Sequence, residues 1–200
     1  HGSGAWVEPA LEKFHLAGVT HILQLGDFGI WPGQQGALFL KHVNLRLKKY
    51  GQVMYVTPGN HEDYDQINAV PVADDGWQHL RSNILLAPRG HRWEWEGVSF
   101  VSLGGAPSVD RTLRQGNRTK VWWPEEGITE EDVAFVSSGG YADVMVAHDA
   151  PFLETIQREI GSNPFGFLEQ DLKYAYEGRV LMDMAFKAVK PKLFLHGHYH

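Results

Sequence analysis

Apolar residues near the start of the chain recur at helical spacing through Trp6, Val7, Leu11 and Phe14, and Gly18 stands where such a helix would stop. The next apolar run, 22–25, is too short for a helix. It runs into Gly26-Asp27-Phe28-Gly29, a turn signal, so it reads as a strand. The same order returns: a helical pattern over 37–50 stopped by Gly51, a strand Val53–Val56, then Thr57-Pro58-Gly59-Asn60-His61. In the middle of the chain 84–86, 91–96 and 98–103 read as short strands, the last two joined as an antiparallel hairpin through Glu96-Gly97. Residues 104–128 show no period, and unstructured stretches of that length inside compact proteins tend to be functional. A helix from about Thr129, with Glu131 and Asp132 in its first turn, precedes a strand Val144–Ala147 that ends on His148-Asp149-Ala150-Pro151. A last helix over 180–189, stopped by Pro191, precedes a strand Leu193–Leu195 and then His196-Gly197-His198-Tyr199-His200.

This alternation of helices and short apolar strands predicts an α/β protein, and the absence of a repeat or a Pro/Gly/Ser-rich linker predicts one domain over 1–200. With 43% hydrophobic and 21% charged residues the chain has the makings of a core and is neither disordered nor fibrous. The formal net charge of −6 disfavours a broad electrostatic grip on nucleic acid or anionic lipid. No run approaches the length of a membrane span and no signal-type segment is visible, so a soluble, cytoplasmic protein with no membrane partner is expected. The chain opens on His1 rather than Met and closes on His200, and truncation at both ends is expected.

The chemistry lies just beyond four strands. Asp27, then Asn60 and His61, then His148, then His198 and His200 each follow the carboxyl end of an apolar strand. In open α/β sheets ligands gather outside those ends, so side chains far apart in sequence are predicted to converge. With no cysteine, imidazole, carboxylate and amide oxygen are the available ligands, a set suited to zinc, manganese, iron or nickel. Taken singly, Gly26-Asp27 and Gly59-Asn60 are ordinary turn dipeptides and His148 an ordinary interior histidine; their joint order is what argues for a site.

Together, Gly26-Asp27, Gly59-Asn60-His61-Glu62, His148 after its strand and Gly197-His198-Tyr199-His200 resemble the calcineurin-like metallophosphoesterases across nearly the whole chain. The resemblance implies two mixed β-sheets packed as a sandwich flanked by helices. It also implies two divalent metal ions: one on His1, Asp27 and His200, the other on Asp27, Asn60, His148 and His198, with Asp27 bridging them. A hydroxide shared by the metals would attack a phosphomonoester or phosphodiester, and His61 would be the catalytic residue that protonates the leaving oxygen. Two positions depart from the family's pattern. The Asp that stands two residues before the position of His1 is missing, and Ile30 occupies a place where many relatives carry an Asp that orients the catalytic His, leaving Glu62, Asp63 or Asp65 as substitutes.

A metal-dependent nuclease, with nucleic acid as substrate, is the alternative within the same chemistry, and an inactive binding scaffold of the same fold is a second. Arg111, Arg114 and Trp123, in the aperiodic stretch, are candidate substrate contacts because a guanidinium fork fits phosphate oxygens and an indole can stack on a base or sugar. The competing reading is a solvated basic loop anchored by its tryptophans. His15, His21, His42, His79 and His91 lack ligand-like neighbours and read as structural or surface residues.

Overall fold

In the computed structural model, which describes residues 2–199, the chain forms two four-stranded sheets. In the first, β1 (His21–Gln24), β2 (Val53–Val56), β3 (Gln78–Arg81) and β4 (Ile84–Leu86) lie in the order β1-β2-β4-β3. In the second, β5 (Arg92–Trp95), β6 (Val98–Leu103), β7 (Val144–Ala147) and β8 (Leu193–Leu195) lie in chain order. Each sheet is parallel except for one antiparallel edge strand, β3 in the first and β5 in the second.

Strand alternation decides what each face meets. On the first sheet Ile22, Met54, Val56, Ile84 and Leu86 pack against α1 (Gly4–Leu16) and α2 (Gly33–Tyr50) through Leu11, Phe39, Leu40, Val43 and Leu47. On the second, Val101, Leu103, Met145 and Ala147 pack against α5 (Glu130–Ser138) and α7 (Glu169–Val189) through Val133, Val136, Met182, Ala185 and Val189. The remaining faces meet each other through an aromatic layer, with Tyr55 edge-on to Trp95 at 4.9 Å and Trp77 against Trp93 at 5.0 Å between ring centroids. The order of layers is helix, sheet, sheet, helix, the sandwich that the resemblance implies.

Several elements differ from the sequence expectation. β1 starts and ends one residue before 22–25. The last helix begins at Glu169 rather than near 180, because the buried positions of its first half, Asp171, Ala175, Gly178 and Arg179, are charged or small and carry no large apolar side chain. The stretch 104–128 contains α4 (Arg111–Gln115) and a 3₁₀ turn, Pro124–Glu126. Three elements lie where the sequence reading placed none: β3, α3 (Tyr64–Asn68) and α6 (Glu154–Gly161), which has no buried residue. Among the described residues no helix is long and apolar enough to cross a membrane.

α5 shows how local chemistry sets an element boundary. Thr129 accepts a hydrogen bond from the Asp132 N–H while the Asp132 carboxylate accepts from the Thr129 N–H, so two otherwise unpaired donors are satisfied reciprocally. Thr129 is exposed, so Thr129→Ala leaves no cavity; the expected result is a loss of about 1 kcal/mol in urea-induced unfolding.

Candidate metal centre

β1 and β2 run parallel in one sheet and β7 and β8 in the other, so each pair delivers its following residues to one end of its sheet. At that end the two sheets are stitched together. The ring of His148 donates from Nδ1 to the Leu25 carbonyl and Gly105 N–H donates to the Pro58 carbonyl at 2.7 Å, while within the second sheet Gly197 N–H donates to the His148 carbonyl at 3.1 Å. Asp27, His148 and His198 then offer ligand atoms that all lie within 4.8 Å of one another. His148 Nε2 is 3.4 Å from Asp27 Oδ1 and 3.0 Å from Asn60 Oδ1.

Such closeness demands residues without side chains. A methyl group on Gly26 would overlap the His148 ring, and one on Gly59 would overlap the backbone and carboxylate of Asp27. Asp27 and His198 themselves sit in the left-handed region, at φ 51° and 69°, a conformation that costs of the order of 1 kcal/mol for residues other than glycine. The segment after Asp27 is clamped by Glu62, fully buried, whose carboxylate accepts from the N–H groups of Phe28 (2.5 Å), Gly29 (3.2 Å) and Ile30 (2.8 Å).

The electrostatics favour a cation. Burial raises the Asp27 carboxyl, but the hydrogen bond and charge of His148, with His61 behind them, outweigh it and hold the group well below the usual carboxylate range. Burial works against a charge on His148 too, yet the neighbouring carboxylate and the Leu25 carbonyl raise it. His198 is pushed down to about 3 by burial and by His148, so it presents a neutral ring with a lone pair. His61 lies below its ordinary value through burial and Arg114, opposed by Asp27 and Asp110.

The donor set therefore fits a divalent ion. With Nδ1 of His148 committed to Leu25, its Nε2 faces two oxygens, Asp27 Oδ1 and Asn60 Oδ1, and only a second proton or a metal can make that arrangement favourable. Imidazole nitrogen, carboxylate and amide oxygen together match a borderline first-row ion. The family model for calcineurin-like phosphoesterase matches residues 6–200. The chain belongs to that family. No curated protein matches it.

As a calcineurin-like phosphoesterase the chain brings Asp27, Asn60, His148 and His198 to one place, while His1 and His200 lie outside the described residues. Two readings need correction. Arg114 and Trp123 do not offer themselves to a substrate: Trp123 is 3% exposed within the helix-facing core of the first sheet, and the Arg114 guanidinium is buried on Glu126, Ser108 and the carbonyls of Asn60 and Val121. Arg111 is paired with Asp171 and lies over the Tyr174 ring at 4.3 Å, which makes it a tether between the aperiodic stretch and α7.

Nor do the acidic residues after His61 stand in for the missing orienting Asp. Glu62 is spent on the 28–30 backbone, Asp63 caps α3, and Asp65 pairs with Lys120. Ile30 is buried in the core. His15, His42 and His79 engage Tyr50, Glu8 and Asp75, and His21 and His91 pack in the aromatic layer between the sheets. Asp149, by sequence a solvated turn residue or an orienter and not a ligand, is buried and accepts from the Tyr199 hydroxyl at 2.6 Å, fixing the loop that carries His198. Its position next to His148 was the available signal.

Proposed function

We propose that this phosphoesterase is a divalent-metal-dependent hydrolase of a phosphomonoester or phosphodiester. The observation that carries the reading is the convergence of Asp27, Asn60, His148 and His198 on one acceptor-rich point. These four residues would hold one ion, with Asp27 shared toward a second whose further ligands would be His1 and His200; Mn, Fe, Zn and Ni all suit the donors. When bound, the ions would acidify a water and neutralise developing charge on the phosphoryl oxygens.

The protein's own part is positioning and proton transfer. The backbone N–H of His61 donates to Asp27 Oδ1 at 3.0 Å, which fixes the base of the His61 side chain beside the cluster. His61 would give its proton to the leaving oxygen as the P–O bond breaks and water adds to phosphorus. An arriving phosphate anion raises the imidazole, countering burial and Arg114. Beside His198 opens a cavity of about 600 Å³, walled by Val109, Ile156, Phe165 and Phe167 with the buried Arg179 at its edge. We assign it to the leaving group, so aromatic or otherwise apolar esters should be the better substrates.

The test is an assay of the metal-replete protein on naphthyl and methyl phosphate mono- and diesters. Turnover of the naphthyl esters is expected to be the faster, and absence of turnover on every ester would remove the reading. His61→Ala should retain its metal by plasma mass spectrometry while turnover falls about 10²–10⁴-fold on esters of poor leaving groups, less on nitrophenyl esters. A variant that loses its metal would instead make His61 part of the binding site.

A further inference from the structure

We infer that Ser108 and Glu126 act as a positioning pair that fixes the side-chain amide of Asn60 with its oxygen, not its nitrogen, toward the cation site. The inference rests on the metal-site reading above and concerns how that site chooses a donor. An asparagine amide has nearly the same shape in its two orientations, one presenting an acceptor and the other two N–H donors. A cation tolerates only the first. Asn60 is 2% exposed, so the choice between orientations falls to protein neighbours.

The neighbours leave one solution. Glu126 is fully buried, and its carboxylate accepts from the Ser108 N–H at 2.8 Å, from the Ser108 hydroxyl at 2.7 Å and from Arg114 Nη1 at 3.0 Å. With Glu126 ionised on Arg114, the single hydroxyl proton of Ser108 is committed to it. What Ser108 has left is two lone pairs; one accepts from Arg114 Nη1, the other from Asn60 Nδ2 at 2.7 Å. A flipped amide would set its oxygen against a hydroxyl oxygen with no proton to give, and would aim N–H groups at the ligand cluster. Arg114 also holds the main chain at this point by donating from Nη2 to the backbone carbonyl of Asn60 at 3.0 Å. The stretch that contains Ser108, Arg114 and Glu126 thus serves the site from beneath, and polarity passes from Glu126 through Ser108 to Asn60 Oδ1.

The test is a double-mutant cycle on the full chain, read as the affinity for Mn²⁺ by isothermal titration calorimetry, with circular dichroism to verify folding. Ser108→Ala should weaken Mn²⁺ binding about 10–100-fold, the range found when a partner that orients a ligand is removed. In an Asn60→Asp background, where both side-chain oxygens are acceptors and there is no orientation to choose, adding Ser108→Ala should carry no such penalty. Glu126→Gln, which places an amine among three donors, should behave as Ser108→Ala does in both backgrounds and serves in its place should that variant not fold. Wild-type affinity in Ser108→Ala overturns the inference, as does an equal penalty with Asp at position 60. Failure of the wild-type chain to bind Mn²⁺ would strike the metal-site reading itself, whereas normal wild-type binding with unaffected variants strikes the positioning pair alone.

Discussion

Asp27→Asn is expected to abolish metal-induced stabilisation and to lower ester hydrolysis by about 10³-fold or more. Asp27 is the one carboxylate in a described cluster otherwise made of imidazoles and an amide, and its Oδ1 is both 3.4 Å from His148 Nε2 and the acceptor of the His61 N–H. The substitution keeps an oxygen for that N–H but removes the negative charge that would hold a cation beside the imidazole rings. Several kcal/mol of charge stabilisation vanish with the ion, and about 4 kcal/mol corresponds to 10³ in rate. Without metal some stability should be lost as well, because the hydrogen bond and charge of His148 outweigh burial and favour the carboxylate in the folded chain; the left-handed backbone at φ 51° adds no further cost, since asparagine tolerates it at least as well. The variant's melting temperature without added metal should therefore lie below the wild type's, while the rise on adding Mn²⁺, which any ligand binding only the folded state produces, should disappear. Calorimetry with and without the ion checks both, and wild-type Mn²⁺ stabilisation in Asp27→Asn would take Asp27 out of the site.

What the sequence made legible follows from where the physics is local. Val53–Val56, Val144–Ala147 and Leu193–Leu195 are short apolar runs closed by turn residues, and each is a strand paired in parallel; β2 and β7 are inner strands, for which such runs are the signature, while β8 is a partly covered edge. Because parallel strands share a direction, the residues that follow each strand pointed to Asp27, Asn60, His148 and His198, which the fold brings together. Polar edges hid what was missed. β3 reads Gln-His-Leu-Arg with only Leu80 buried, and the first half of α7 turns Asp171 and Arg179 inward where a hydrophobic pattern looks for leucine. Arg114 and Trp123 misled for a related reason: arginine and tryptophan suit a phosphate site and a buried anchor equally well, and only tertiary packing chooses. Ser108 meets Glu126 and Asn60 across sequence separations that carry no periodic signal.

Glu62→Ala is expected to lower stability by about 3 kcal/mol and to weaken the metal site with it. Glu62 has no solvent exposure, and its two oxygens take three backbone N–H groups from successive residues, Phe28, Gly29 and Ile30. Leaving buried donors unpaired costs about 1–3 kcal/mol each, against which the removal of a buried carboxylate returns part, since burial alone pushes this carboxyl above its ordinary range. The same three residues follow Asp27 directly, and Phe28 and Ile30 are core side chains at 2% and 0% exposure, so releasing the clamp frees the segment that aims the Asp27 carboxylate while also loosening the helix-facing core. Glu62→Gln keeps one acceptor oxygen but turns an amine toward at least one N–H, and should fall between the wild type and the alanine variant. Urea unfolding followed by circular dichroism gives the stability, and Mn²⁺ titration at a urea concentration where all three proteins remain folded gives the affinity. An alanine variant as stable as the wild type would show that water or a neighbouring group can satisfy these donors, and the Asp27 segment would then owe its shape to Gly26, Gly59 and the packing of Phe28 and Ile30 alone.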